Sequence, residues 1–335
     1  MHDAVNAVDH LHGSDLRQWA RMPRIDPRQG VTVFSPPAPG QGHWVGAPSA
    51  TYDPESGTFY LYRRIRYPRP VRGGECRIAA SQDGLRFTDI WVMSRDQLES
   101  SSIERSALVR SFEGDWLLFV SYVDPSDGRW RIDGMRAPSP DSFQPAKRWP
   151  VLTAESTGTQ GVKDPVVYKS AGEYYLFFTY AHVGAQAEGT AQLRMHESGD
   201  AFNTGAVLSR SAVAVSRDGQ HFSVLGDVLV PPERGWDRDT TRTTCVVYVP
   251  PQFIMFYDGK ARVEENYEER CGYAVSFDFA RWRRVTVDGP WLVSPWGSES
   301  LRYLDVAAAQ GRLFAYYEMC LPDGSHELRV NVIEP

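Results

Sequence analysis

The chain reads as an all-β protein, a five-bladed β-propeller built from four-stranded antiparallel blades. Three observations lead there. An aromatic-aliphatic strand-like run recurs five times, beginning at Phe59, Trp116, Tyr174, Phe253 and Leu313. The steps are about 60 residues, with one longer step between Tyr174 and Phe253, a repeat length of the propeller kind. A Ser-x-Asp turn with an aromatic residue close behind recurs four times: Ser81 and Asp83 before Phe87, Ser139 and Asp141 before Phe143, Ser216 and Asp218 before Phe222, and Ser276 and Asp278 before Trp282. An Asp-Gly or Asp-Ser pair favours a hairpin, and the aromatic returns the chain to the core.

The stretch from Lys163 to Tyr180 shows the front of the repeating unit. Lys163 and Asp164 open a short strand, and Pro165 sits at its start, where a missing N–H does least harm to a sheet. Ala171-Gly172 makes the turn, and Glu173 to Tyr180 forms the aromatic second strand. A third strand, the Asp turn and a fourth strand complete the unit. The blades are expected near 44–92, 103–150, 162–230, 240–290 and 302–334. The fifth ends before an Asp turn, so its outer strand is expected from Val31-Thr32-Val33-Phe34, which would close the ring and remove the open sheet edges. Two regions result: an N-terminal arm, 1–30, and a propeller domain, 31–335. In the arm, Asp15 is placed to cap a short helix to Arg21, and His10 and His12 are spaced to share a strand face; a solvated arm is the simpler reading. The third blade carries extra length between Ala181 and Arg210, expected as a lid or wall over one mouth.

Composition limits the function. The formal net charge of −6 argues against nucleic acid or an anionic membrane as partner. No apolar run approaches the ~20 residues of a membrane span, and none near the start has signal-peptide form. A cytoplasmic protein is expected. Cys76, Cys245, Cys271 and Cys320 lie far apart with no C-x-x-C pair, as buried free thiols do, and no metal site is implied. No Gly-x-Gly-x-x-Gly follows a strand, so no redox cofactor is implied either.

In a propeller the innermost strands converge on a funnel, a natural concave site. Aligning the five strand openings brings Glu104, Arg105, Lys163, Asp164, Arg242, Arg302 and Asp305 there. Carboxylates interleaved with cations suit polyhydroxylated ligands, and burial among like and unlike charges separates carboxyl pKa values for acid/base work. Trp44 and Trp236 are candidates to stack on a sugar ring, and His43 and His182 to donate to a ligand; packing and a neutral, satisfied imidazole are the competing readings. Arg63, Arg64, Arg66, Arg69, Arg72 and Arg77 cluster after the first aromatic strand and fit an anionic ligand, with Arg63 counted among the binding residues. The competing reading is a solvated strand edge. Glu264, Glu265, Glu268 and Glu269 form a loop or face such arginines. The recurrent Asp83, Asp141, Asp218 and Asp278 are turn residues.

The Lys-Asp-Pro blade, the Ala-x-Ser-x-Asp-Gly turns, Gly235-Trp236-Asp237 and the strand ending Tyr257-Asp258-Gly259 resemble the five-bladed propeller glycosidases: the arabinanase/xylosidase, invertase and mannoside-phosphorylase families. The resemblance runs from about Trp44 to the end. Arg63, Ala79 to Gly84 and Tyr316-Tyr317 look most like the phosphorylase type. It implies a carbohydrate-active enzyme, glycoside hydrolase-like, with a small-molecule or oligosaccharide ligand, neutral or anionic. The family catalytic set is matched only in part. Where arabinanases and invertases carry an Asp before the first blade strand, this chain has Gly46-Ala47-Pro48. Where phosphorylases carry Glu-Asp-Pro-Arg, it has Glu104-Arg105-Ser106-Ala107. Glu104, Asp164 and Asp305 are therefore the expected catalytic carboxylates, with Glu104 or Asp164 as an acid raised by burial. A lyase, cyclase or transferase on the same scaffold, or a non-catalytic sugar-binding propeller, are the alternatives.

Overall fold

The computed structural model describes residues 24–183, 195–197 and 199–334. The expected Asp15–Arg21 helix and the His10/His12 pair lie outside the described residues, as does most of the arm.

The described chain is all-β apart from short helical turns. β1 (Val31–Phe34) is followed by five antiparallel groups. The first holds β2 (Trp44–Asp53), β3 (Thr58–Tyr67), β4 (Arg72–Ser81) and β5 (Thr88–Ser94). The second holds β6 (Ala107–Arg110), β7 (Trp116–Val123), β8 (Trp130–Ala137) and β9 (Trp149–Leu152). The third holds β10 (Val162–Ser170), β11 (Glu173–Val183), β12 (Val207–Ser216) and β13 (Ser223–Leu229). The fourth holds β14 (Thr240–Val249), β15 (Gln252–Lys260), β16 (Arg270–Ser276) and β17 (Arg283–Arg284). The last holds β18 (Leu301–Ala309), β19 (Arg312–Cys320) and β20 (His326–Ile333), and β1 pairs antiparallel with β20, Val31 opposite Val330. Every aromatic second strand begins within one residue of its expected start.

The first strand of each group touches the first strand of the next: β2 meets β6, β6 meets β10, β10 meets β14, β14 meets β18, and β18 meets β2. This is a propeller-like arrangement. The second strands supply the core between groups. Leu118 and Val120 of β7 pack with Tyr62 and Ile78, and Phe256 of β15 packs with Leu304, Ala315 and Tyr317. Alternate side chains along a strand point to opposite faces, so each second strand feeds two such layers.

The Asp turns are structural, as their recurrence implied. Asp83 Oδ1 accepts the N–H groups of Leu85 and Arg86, Asp218 those of Gln220 and His221, and Asp278 those of Ala280 and Arg281. The serine two residues earlier donates its hydroxyl to the same carboxylate in each. Such Asx and Ser turns satisfy backbone groups at a hairpin end.

Four of the five inner strands carry a register break: between Gly46 and Ser49, Lys163 and Val166, Thr243 and Cys245, and Arg302 and Asp305. At three of these a non-glycine residue adopts left-handed φ: Ala47 at 52°, Asp164 at 55° and Tyr303 at 55°. A bulge puts two residues opposite one and re-aims a side chain. Left-handed φ away from glycine costs of order 1–3 kcal/mol and gathers at functional sites.

The described part of the long third-group connection packs across other groups. Met195, Ala201, Phe202 and Ala206 cluster with Val123 and Trp130 of the second group. Asp200 pairs with Arg72 at 3.1 Å and accepts the Tyr267 hydroxyl at 2.7 Å. The Phe202 ring lies 4.5 Å from Lys163 Nζ, at the opening of β10.

Candidate active site

The inner-strand openings and the ends of the second strands bring a dense set of buried charges together. Glu104 sits between Arg66, at 2.7 Å, and Arg64, at 3.2 Å. Asp164 lies 3.5 Å from both Lys163 and Arg242. Arg242 also pairs with Asp258 at 2.7 Å and Glu269 at 3.4 Å. Arg302 bridges Glu269, at 2.8 Å, and Glu318, at 2.7 Å, and Glu318 pairs with Arg64 at 2.8 Å. All of these side chains are buried. Tyr303 lies among them, its hydroxyl 3.5 Å from Glu104 Oε2 and its ring 4.1 Å from the Arg242 guanidinium carbon.

The electrostatics differ from group to group. Burial works to raise the Glu104 carboxyl, but Arg64 and Arg66 outweigh it and hold it at about 2. The expectation of Glu104 as an acid raised by burial is corrected on this point: its two guanidinium neighbours keep it ionised. Glu269 and Glu318 are also lowered, burial being overcome by Arg242 and Arg302 for the first and by Arg302 and Arg64 for the second. Asp258 goes the other way. Burial, helped by the charge of Glu269, outweighs Arg242 and pushes it up to about 6. Burial and the nearby carboxylates raise the Tyr303 phenol well above its ordinary value despite Arg242.

Asp164 is set apart by its hydrogen bonding. It has no solvent exposure, yet neither carboxylate oxygen accepts a hydrogen bond from the described residues. Its backbone N–H is anchored to Ser121 Oγ at 3.3 Å, and the Glu104 N–H to Ser121 O at 2.9 Å, so one residue of β7 positions both carboxylates.

Of the residues expected from sequence, Glu104, Lys163, Asp164, Arg242 and Arg302 join this cluster. Trp44 borders it, its ring 5.2 Å from Arg66 and 5.0 Å from Arg302. Arg105 and Asp305 form a separate pair at 3.5 Å, and Asp305 also accepts the N–H groups of Ala50 and Val306. His43 lends its carbonyl to the His326 N–H, while its buried Nδ1 has no hydrogen-bond partner among the described residues.

Three expected binding residues stand elsewhere. Arg63 pairs with Asp89 at 2.6 Å beside Phe34, because the pleat sends it to the face opposite Arg64 and Arg66. Trp236 stacks on Tyr257 and donates to Thr286 O, a packing role. His182 faces Arg210 and Asp227 on the third group, where burial and Arg210 lower its pKa. The arginine cluster is divided accordingly: Arg77 joins Arg63 at Asp89, while Arg69 and Arg72 face Asp200.

Sequence reasoning missed Asp258, Glu318, Tyr303 and His326, and read Glu269 only as a loop residue or a partner for the clustered arginines, whereas it pairs with Arg242 and Arg302. The readable signal was a lone charge inside an aromatic strand, Phe256-Tyr257-Asp258 and Tyr316-Tyr317-Glu318. Glu318 also explains Gly46. A Cβ added at Gly46 would lie 2.5 Å from Glu318 Cβ and Cγ, and closer still to Oε2. The space beside the first inner strand is filled by a carboxylate from β19, which also accepts the Ala47 N–H at 3.1 Å.

Neither a protein-family profile nor a curated protein sequence matches the chain. Solved structures do resemble it. A glycosyl hydrolase from Bacteroides ovatus aligns with a TM-score of 0.62 at 13% identity, over 93% of this chain and 96% of that one. A thermostable family-43 glycoside hydrolase aligns at 0.61 and 14%, over 90% and 91%. A member of the GH130 family of mannoside phosphorylases, whose glycoside hydrolases target beta-1,2 mannosidic linkages in Candida mannan, aligns at 0.59 and 13%, over 94% and 99%. The fold is that of the glycosidase propellers. Among the described residues, no helix is long and apolar enough to cross a membrane.

Proposed function

We propose that the five groups are the blades of a closed propeller and that the protein is a carbohydrate-active, glycoside hydrolase-like enzyme with its site at the hub. The observation that carries this reading is Asp164: a fully buried carboxylate on a left-handed residue, flanked by two cations at 3.5 Å, with no hydrogen bond to either oxygen from the described residues. A structural carboxylate satisfies its oxygens with hydrogen bonds; one whose oxygens have only cations beside them can accept from an incoming hydroxyl, or, once protonated, donate to a glycosidic oxygen.

Asp164, once protonated, gives its proton to the leaving glycosidic oxygen as the C–O bond breaks, and takes one back from the water that adds to the sugar carbon. Glu104, ionised between its arginines, provides the fixed negative charge that an oxocarbenium-like transition state requires. Lys163, Arg242 and Arg302 orient sugar hydroxyls or an acidic substituent, while Trp44, buried and stacked on His326, braces Arg66 and Arg302. Asp305 keeps a place at the rim as a positioning group, since Arg105 and two backbone donors occupy its oxygens. A small-molecule or oligosaccharide ligand, neutral or anionic, fits this set. A lyase, cyclase or transferase is the alternative, favoured by Gly46-Ala47-Pro48 at the opening of the first blade, a stretch with no carboxylate side chain.

A panel of neutral and uronate-containing glycosides with product analysis tests the reading. Released reducing sugar, lost in Asp164→Asn, supports it. An unsaturated or rearranged product favours the alternative, and full turnover by Asp164→Asn refutes the assignment.

A further inference from the structure

Where the connection between β15 and β16 meets the β19–β20 hairpin, three donor atoms converge. They belong to Glu268, Cys320 and His326, and all lie within 4.8 Å of one another. Cys320 and His326 are cross-strand partners, so the hairpin itself holds the thiol and the imidazole side by side. Glu268 comes from the preceding blade, its Oε2 3.4 Å from His326 Nε2.

The imidazole is fixed on every side but one. Its Nδ1 is 2.9 Å from Glu318 Oε1. Trp44 stacks on the ring at 4.5 Å and 22°, and the indole N–H anchors the hairpin through Gly324 O at 3.0 Å. His326 has no solvent exposure, and its Nε2 has no hydrogen-bond partner among the described residues. That nitrogen points at the Glu268 carboxylate and the Cys320 sulfur. The Glu268 carboxylate is steadied in turn by the Ser298 hydroxyl.

We propose that Glu268, Cys320 and His326 bind a thiophilic divalent cation of the zinc type. A thiolate, an imidazole and a carboxylate are the borderline-soft donors zinc takes, whereas calcium and magnesium take oxygen ligands only. A histidine whose second nitrogen is held by a buried carboxylate is the usual outer-shell arrangement of a zinc ligand, and Glu318 supplies it. Zinc–ligand bonds of ~2.0–2.3 Å set donor atoms about 3.5 Å apart, so these three need only draw together slightly. Glu268 is partly exposed, which leaves an entry path and an open fourth position for water. The ion would fasten the β15–β16 connection to the last blade. It would also set the hub from two sides, because Glu269 pairs with Arg242 and Arg302 while Glu318 pairs with Arg64 and Arg302.

The test uses the full chain, stripped with a chelator and titrated with cobalt(II), then with zinc. The expected result is one cobalt per chain, a thiolate-to-cobalt charge-transfer absorption in the near ultraviolet, displacement by zinc and a zinc-dependent rise in melting temperature. Cys320→Ser abolishes the charge-transfer absorption, and Glu268→Gln, on a partly exposed side chain that leaves the core intact, weakens binding by about tenfold or more. No charge-transfer absorption in the wild type, an unchanged one in Cys320→Ser, or a melting rise with calcium equal to that with zinc overturns the assignment. Should Cys320→Ser fail to fold, Glu268→Gln decides: unchanged cobalt affinity overturns it.

Discussion

Replacing Glu318 by glutamine changes one atom and removes one charge from the centre of the hub. The carboxylate accepts from Arg302 Nε at 3.0 Å and Nη2 at 2.7 Å, from Arg64 Nη2 at 2.8 Å and from the Ala47 N–H at 3.1 Å. Every one of these donors is buried. The carboxamide cannot satisfy them, because whichever way it turns its NH2 faces an arginine N–H or a backbone N–H. Arg302 then keeps only Glu269, and Arg64 only Glu104. Breaking one member of a buried ion-pair network costs about 3–5 kcal/mol, since the remaining charge stays buried and uncompensated. The comparison is Glu173→Gln, whose partner Arg217 is 87% exposed and whose ion pair is worth no more than about 1 kcal/mol. Urea denaturation followed by tryptophan fluorescence gives both values. If Glu318→Gln costs less than about 1 kcal/mol, the hub is not the connected electrostatic unit inferred from the distances.

Asp164→Asn should lower turnover by about 10²–10⁴ with ligand binding retained, measured by initial rates and calorimetry on the same substrate. Asp258 should make stability depend on pH in an unusual direction. Its folded value, about 6, lies above its unfolded one, so the native state binds more protons between about 4 and 6 and stability is lost as pH rises through that window. Denaturation midpoints at either end of it, compared with Asp258→Asn, read the contribution, and an unchanged pH profile in the variant refutes it. Glu104, held at about 2, contributes in the opposite sense: its stabilisation is present above about 4 and fades as pH falls towards 2, and Glu104→Gln should flatten that acid limb. Gly46→Ala should destabilise by about 1–3 kcal/mol in thermal melts, the cost of overpacking against Glu318.

The second strands were legible because their signal is local: a run of aromatic residues after a turn, repeated, with starts from Phe59 to Leu313 displaced by no more than one residue. The pairing of Val31–Phe34 with β20 followed from the missing strand at the end. Facing was harder. Counting alternate residues separates Arg63 from Arg64 and Arg66 on an unbroken strand. The bulges at Ala47, Asp164 and Tyr303 shift that count on the inner strands, where the candidate carboxylates lie. The pairings of Glu318 and Glu269 were hard to foresee for a different reason. Their partners Arg64, Arg242 and Arg302 sit in other strands, and two of the four pairs cross from one group to the next, so a charge inside an aromatic run is visible locally but its partner is not. Glu268 and His326 are separated in the same way.

The seam between Val31–Phe34 and β20 joins segments from opposite ends of the chain. During synthesis Val31–Phe34 has no partner until β20 emerges. The β18–β20 group is therefore completed late, and until then the edge of Val31–Phe34 is open to mispairing with a neighbour.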